Sequence, residues 1–500
     1  MRVSKFTAVR WICAPALVAG ALTVVSVPAH AAELPSICKS AAGTITCDGD
    51  LQDGDTVEGT DGDDTIVIKG NVPQGAVVRG KGGNDTISAY DVGTFICNGD
   101  IGAYAGKGGE IDGGDGDDTI TVGGGKRSPE CEKKFAGIDI PLGNVSERGK
   151  VSGGAGNDKI TVGTLGYIKS NQDHPELSLE VIAGRVDGGT GDDTIDVGWV
   201  ATGATFDNPA TADGVYGGEG NDTIHAGDVN GLGLVSGGPG RDTLTVDGMN
   251  TGEVDGNEGD DTFIATKGPL RGLAKLRGGP GNDTMTIKSL QGVASALGEE
   301  GDDVINVTYI NGPDGEIVSP GYNAGSADGG PGNDTITVEV IGRTGGVLGD
   351  DGDDTITVKS LNGPEDPISG EGDELKWHAG IINGWDGNDK ITVGLVGKMG
   401  QVWGDGYPDA PAKGKDIIKV TDLNDQAKIR GGPLADVITV TNINSKQASV
   451  NGEGGNDKIT VTGKNAGTVI GGAGSKDTCN AKGAKKTCEL PAKKKQKQKK

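Results

Sequence analysis

The sequence is poor in the residues that build a thick core or a familiar catalytic centre. Phe, Trp and Tyr make up 3% of its 500 residues, and apolar residues of all kinds 34%. Aromatic side chains supply much of the buried area of ordinary domains, so this composition argues against the several compact domains that such a length would normally hold. There are only four histidines, and no HExxH, GxSxG or CxxC motif. Zinc protease chemistry, the strained serine turn of the α/β-hydrolases and thiolate zinc ribbons are thereby excluded. Beyond the N-terminal leader no stretch approaches the ~18 consecutive apolar residues of a membrane span. Lys and Arg number 46 against 72 Asp and Glu, for a net charge of −26 and a pI near 4.5. Such a field repels nucleic acid and attracts cations.

Glycine, in contrast, is abundant, with 94 residues. It does not recur at every third position, so a collagen helix is excluded. Instead Gly-Gly-x-Gly-x-Asp followed by Thr-Ile-x-Val recurs along the chain. Full copies begin at Gly113, Gly153, Gly188, Gly217, Gly237, Gly278 and Gly329. Copies keeping the first and fourth glycines and the aspartate begin at Gly59, Gly80, Gly256, Gly298, Gly349, Gly384 and Gly452. The sixth-position aspartates are Asp64, Asp85, Asp118, Asp158, Asp193, Asp222, Asp242, Asp261, Asp283, Asp303, Asp334, Asp354, Asp389 and Asp457. Degenerate copies end at Asp416, Asp436 and Asp477, the last with one extra residue, as in a terminal cap. Spacings of 19 to 22 residues recur between successive aspartates, so about 20 residues is the base period. Longer spacings are base units carrying insertions or additional coil.

After each aspartate, Thr and Ile or Val alternate, as in Asp334-Thr335-Ile336-Thr337-Val338. This is the period of a half-buried strand with its β-branched apolar residues inward. A shorter strand precedes each loop, as at Glu253-Val254-Asp255. Units of strand, loop, strand and turn stack into an all-β parallel β-solenoid, each strand pairing with its equivalent one coil away at about 4.8 Å. A thin coil of this kind holds Val, Ile and Leu but few rings, which accounts for the shortage of aromatics.

Stacking brings the acidic loops together. Like charges about 5 Å apart repel by roughly 1–3 kcal/mol per pair, depending on the effective dielectric. A hard divalent cation held by carboxylates and carbonyl oxygens would cancel the row, and glycine's freedom at positive φ lets carbonyls turn toward it. Calcium suits this ligand set better than magnesium, which demands stricter geometry. A Gly-Asp turn without metal would explain one such loop, but hardly fourteen.

These repeats resemble the RTX, or hemolysin-type calcium-binding, repeat GGxGxDxUx of bacterial secreted proteins, over about Gly59 to Asp477. The resemblance implies a right-handed parallel β-roll. It also implies calcium held by loop carbonyls and by the sixth-position aspartates from Asp64 to Asp389, with Asp457. Tandem nonapeptides would place calcium on both edges. Here each ~20-residue unit carries one glycine loop, so calcium is expected along one edge and ordinary turns along the other.

The first 31 residues have the form of a secretory signal peptide: basic Arg2, Lys5 and Arg10, an apolar stretch, then Ala29-His30-Ala31. The expected organisation is a signal peptide at 1–31, an N-terminal cap at 32–58, the solenoid at 59–478, and a C-terminal cap with a Lys-rich tail at 479–500. Six cysteines remain after the leader, and nearest-neighbour disulfides (Cys38–Cys47, Cys97–Cys131, Cys479–Cys488) are expected to pin the ends, with other connectivities open. The tail, ending Lys493-Lys-Lys-Gln-Lys-Gln-Lys-Lys500, either binds an anionic cell wall or surface polysaccharide or merely solubilises the chain. Trp377, Trp385 and Trp403, near His378 and Tyr407, either stack on a partner or pack an insertion. The function expected is that of a secreted, non-enzymatic calcium-binding solenoid with a structural or adhesive role and no catalytic residues. Two alternatives are a polysaccharide-binding or lyase- or epimerase-like β-helix, and an ice-binding surface built from outward threonines, whose rows are broken by Lys159, Lys390 and Lys458.

Overall fold

The computed structural model describes residues 33–93, 108–123, 144–145, 148–169, 180–182, 184–202, 213–231, 233–311, 325–342, 344–362, 380–406, 414–482 and 486–487. Among them every regular element is a strand. In Thr335–Ile341 the side chains of Ile336 and Val338 are buried and Thr335 is exposed, as the alternation requires. Each such strand pairs in parallel with its equivalent in the next coil: Ile120 with Ile160, Ile160 with Ile195, Ile195 with Ile224, Ile224 with Leu244. The shorter strands before the loops do the same, Val57 with Val78, Val78 with Ile111 and Ile111 with Val151. One chain thus winds two parallel sheets. This is the repeating architecture of a β-solenoid, and parallel crossovers of this kind take the right-handed course.

The core between the sheets is a set of stacked rows. The strand after the loop supplies three inward residues, as with Ile336, Val338 and Ile341. The strand before the loop supplies one, here Ala327. Volume is balanced within a coil: Phe263 is the largest side chain of its row, and Ala265 is its small companion. The edge away from the glycine loops is closed by short turns ending in a small residue. Ala274 donates to the Arg271 carbonyl at 3.1 Å and Ala427 to the Asn424 carbonyl at 3.0 Å. This is the one-sided arrangement expected from one glycine loop per unit.

The longer repeats are single coils with inserted residues, which decides between the two readings of the insertions. Lys159 pairs directly with Thr119 and Lys390 with Thr355, so no further coil lies between them. At the N-terminal end Cys38–Ala41 forms an antiparallel hairpin with Thr44–Cys47, closed by the Cys38–Cys47 disulfide. Thr44–Cys47 then pairs with Thr65–Ile68 and starts the stack. Cys479 is also disulfide-bonded. The leader, Cys97, Cys131, Cys488, Trp377, His378, Tyr407 and most of the Lys-rich tail lie outside the described residues. No helix among the described residues is long and apolar enough to cross a membrane.

If these rows hold the coil together, Ile336→Ala should destabilise it by about 2–5 kcal/mol, as large-to-small core changes do, and Thr337→Ala by less than about 0.5 kcal/mol. Thermal unfolding followed by circular dichroism checks the contrast, and equal effects would mean that the inward and outward faces are misassigned.

Candidate metal centre

The glycine loops shape the site through what they lack. A Cβ on Gly237 would lie 2.8 Å from the Gly256 carbonyl of the next coil and closer still to Asp242 Oδ2. Gly238 and Gly240 have φ of +120° and +154°, a backbone open to glycine at little cost. The loop can therefore press its backbone against both the next coil and its own aspartate.

All seventeen sixth-position aspartates stand in one buried row. The amide of each donates to Oδ1 of its counterpart in the following coil, from Asp64 to Asp85 at 2.7 Å through to Asp457 and Asp477 at 2.9 Å. The link is unbroken through the insertions, as between Asp118 and Asp158 at 2.7 Å. It also takes in Asp416 and Asp436, although their motifs are degenerate. The second oxygen is different. From Asp85 to Asp477, Oδ2 is buried with no hydrogen-bond partner. A buried carboxylate oxygen without a donor or counter-charge is costly, and burial raises the pKa. Desolvation, opposed by the amide bond and reinforced by neighbouring aspartates, pushes Asp118 up to about 7, Asp283 to about 8 and Asp389 to about 9. Desolvation likewise takes Asp158 up to about 6, against the opposing amide bond from Asp118.

This donor set fits a hard cation. It offers oxygen only, with one orphaned carboxylate oxygen per coil facing the first-glycine backbone. Among the described residues no group of three or more His, Cys, Asp and Glu side chains converges. Backbone carbonyl or water oxygens would therefore complete any coordination shell.

The first rung departs from the pattern. Thr60 donates its amide to Asp64 Oδ2 and its hydroxyl to the same oxygen at 2.8 Å. The row thus ends on protein donors at the one aspartate with no glycine loop stacked before it.

Motif matching overlooked a second row. The fifth loop position alternates down the stack: Asp63, Asn84, Asp117, Asn157, Asp192, Asn221, then Arg241, then Asp260, Asn282, Asp302, Asn333, Asp353, Asn388. Except at Asp260, which follows Arg241, the amide of each coil donates to Oδ1 of the coil before, as from Asn157 to Asp117 at 2.8 Å. Asn221, Asn333 and Asn388 add a side-chain bond to Asp192, Asp302 and Asp353 at 2.9, 3.0 and 2.9 Å. These bonds hold the exposed Asp192, Asp302 and Asp353 below the usual carboxylate range. The acidic fifth position therefore does not stack charge on charge. The signal was present in the sequence but shows only when position five is read down the stack.

The other candidate patches are structural. Trp403 is buried, with the Arg430 guanidinium 5.4 Å from its ring. On the outward threonine face, charged Asp196 and Lys419 interrupt the rows as well as the three lysines. His225 bridges Asp196 and Asp247 at 2.8 and 3.1 Å.

The raised carboxyls fix the direction of a pH effect. Each holds its proton in the folded chain at a pH where the unfolded chain has lost it. Its contribution to stability is therefore complete below about pH 4 and is lost as pH rises through the folded values. In chelator, the melting temperature should be higher near pH 5 than near pH 9, and the reverse order would contradict the buried row.

A family model described as the RTX calcium-binding nonapeptide repeat (four copies) matches residues 52–67, 110–126 and 212–231. No curated protein matches the chain. Among solved structures, a hyperactive, Ca2+-dependent, β-helical antifreeze protein from an Antarctic bacterium is similar at 23% identity, covering 63% of this chain and 84% of that one, with a TM-score of 0.42. Those three segments carry the RTX calcium-binding nonapeptide repeat, and calcium is the cation the solenoid binds.

Proposed function

We propose that the protein is an exported structural solenoid that calcium stiffens outside the cell, and that it acts by holding its shape rather than by catalysis. The observation that carries this reading is the row of orphaned Oδ2 atoms from Asp85 to Asp477. In this reading the ligating carboxylates are those expected from the repeats: Asp85, Asp118, Asp158, Asp193, Asp222, Asp242, Asp261, Asp283, Asp303, Asp334, Asp354, Asp389 and Asp457. Asp416 and Asp436 join them, because they share the same burial and the same amide link. Asp64 closes the row through Thr60 instead. Bound calcium supplies positive charge to the row; the chain's own part is to hold each carboxylate by Oδ1 and leave Oδ2 open.

Export is supported by the leader ending at Ala29-His30-Ala31 and by the oxidised Cys38–Cys47 pair and Cys479, since disulfides persist outside the reducing cytoplasm. Calcium is abundant in that compartment, so folding there would be coupled to export. The Lys-rich end of the chain would attach this acidic solenoid to an anionic wall or surface polysaccharide.

Calorimetry on the mature chain should find on the order of ten calcium ions, and calcium should raise both the β signal in circular dichroism and the melting temperature. One or two ions, or identical melting in chelator and in millimolar calcium, would overturn the reading. Removing residues 491–500 should release the protein from anionic polymer or cells without changing its melting temperature; undiminished retention would remove the adhesive role.

A further inference from the structure

One loop of the row is built differently. The coil beginning at Gly404 carries seven residues, 407–413, between its third and fourth loop positions. Its framework is otherwise preserved. Asp416 accepts from the Asp389 amide at 2.9 Å, its own amide donates to Asp436 at 2.9 Å, and Gly414 sits against the Gly387 carbonyl as fourth-position glycines do in other coils.

The second position of this loop is Asp405. Apart from Thr60 in the first loop, this place elsewhere holds glycine or a residue at positive φ, as at Asn257, Glu299 and Trp385 near 72°. Asp405 does not take that conformation. Its side chain is buried, 2% exposed, on the loop side of the coil. Neither carboxylate oxygen has a hydrogen-bond partner of normal geometry, although the Gly414 amide lies close by. A Cβ on Gly414 would lie 2.9 Å from Asp405 Oδ1, 2.7 Å from Asp416 Oδ1 and in contact with the Gly387 carbonyl. A Cβ on Gly432 in the next coil would meet Asp405 Oδ2. Two carboxylates and a carbonyl therefore converge on one small space, and Asp416 Oδ2 is also without a partner.

We propose that Asp405 and Asp416 together hold one hard divalent cation, calcium, in a two-carboxylate site that the six-residue loops lack. Calcium affinity rises with the number of charged ligands and with the rigidity of the site, so this coil binds its ion more tightly than its neighbours. It fills first as calcium rises and empties last in chelator. Growth of ordered coil then starts from the coil that carries Asp405 and Asp416, because a solenoid propagates from any nucleated coil to its neighbours. The inference rests on the reading of the aspartate row as calcium-binding, but concerns a ligand outside that row.

Trp385 provides a local reporter, because a Cβ on Gly406 would lie 3.0 Å from its ring. Terbium, which occupies calcium sites, is titrated into the chelator-stripped full chain with tryptophan excitation. Wild type should show an early phase of one ion per chain with sensitised emission, and Trp385→Phe should weaken that emission, with Trp403 left as a donor two residues from Asp405, while keeping its calcium stoichiometry. Asp405→Asn should shift the early phase to about tenfold higher terbium or more, whereas Asp261→Asn should leave it in place. The wild-type titration decides independently of how any variant folds: absence of an early one-ion phase overturns the proposal. So does an Asp405→Asn titration that matches wild type. A wild-type chain that binds many ions of uniform affinity refutes the two-carboxylate site alone, whereas a chain that binds none refutes the calcium row as well.

Discussion

The structure depends on a single repeated contact, the hydrogen bond from each loop aspartate's amide to Oδ1 of the aspartate in the next coil. It joins neighbouring coils at their acidic edge and commits the carboxylates to a buried column. It also uses only half of each carboxylate. The geometry that aligns the coils therefore leaves Oδ2 exposed to its own desolvation, without a donor in reach. Protons or a cation must answer that charge. Neutral-range pKa values such as about 7 at Asp242 describe the proton-bound answer, and the oxygen-only surroundings describe the cation-bound one.

The same loop solves the stacking of like charge in two ways. At the sixth position each carboxylate keeps one buried oxygen without a donor, open to the cation of the proposed reading. At the fifth, exposed position, aspartate alternates with asparagine, so each carboxylate receives an amide from the following coil and its nearest charged counterpart is two coils away. The ladders run in opposite directions, the buried one donating forward and the exposed one donating backward. Together they pin the loop from both sides, which explains how the register survives insertions as long as those between Asp118 and Asp158.

Much of the architecture could be read from local pattern. Thr-Ile-Thr-Val after an aspartate is half-buried strand wherever it occurs, and a period near 20 residues leaves room for two strands, a loop and a turn. The single glycine loop per unit was enough to place the acids on one edge. A degenerate motif does not exclude a coil from the stack: Asp416 and Asp436 hold the same amide links as the rest of the row. Their place is imposed by the coils above and below, whose strands pair in register on either side, as Ile391 with Ile418 and Ile418 with Ile438. At Asp64 the motif is good, and the structure adds what the motif does not show, a Thr60 hydroxyl donating to Oδ2.

Periodicity and composition, being properties of each short segment, were sufficient for strands, loops, an acidic edge and the choice of a hard cation. Which oxygens are satisfied and which are orphaned is a property of two coils at once, and no single segment contains it. The alternation at position five, the closure at Thr60 and the approach of Asp405 to Asp416 across a seven-residue insertion all arise from that stacking. Contacts between residues 20 to 40 positions apart are set by the parallel register of the sheets, and that register exists only once the coils are wound.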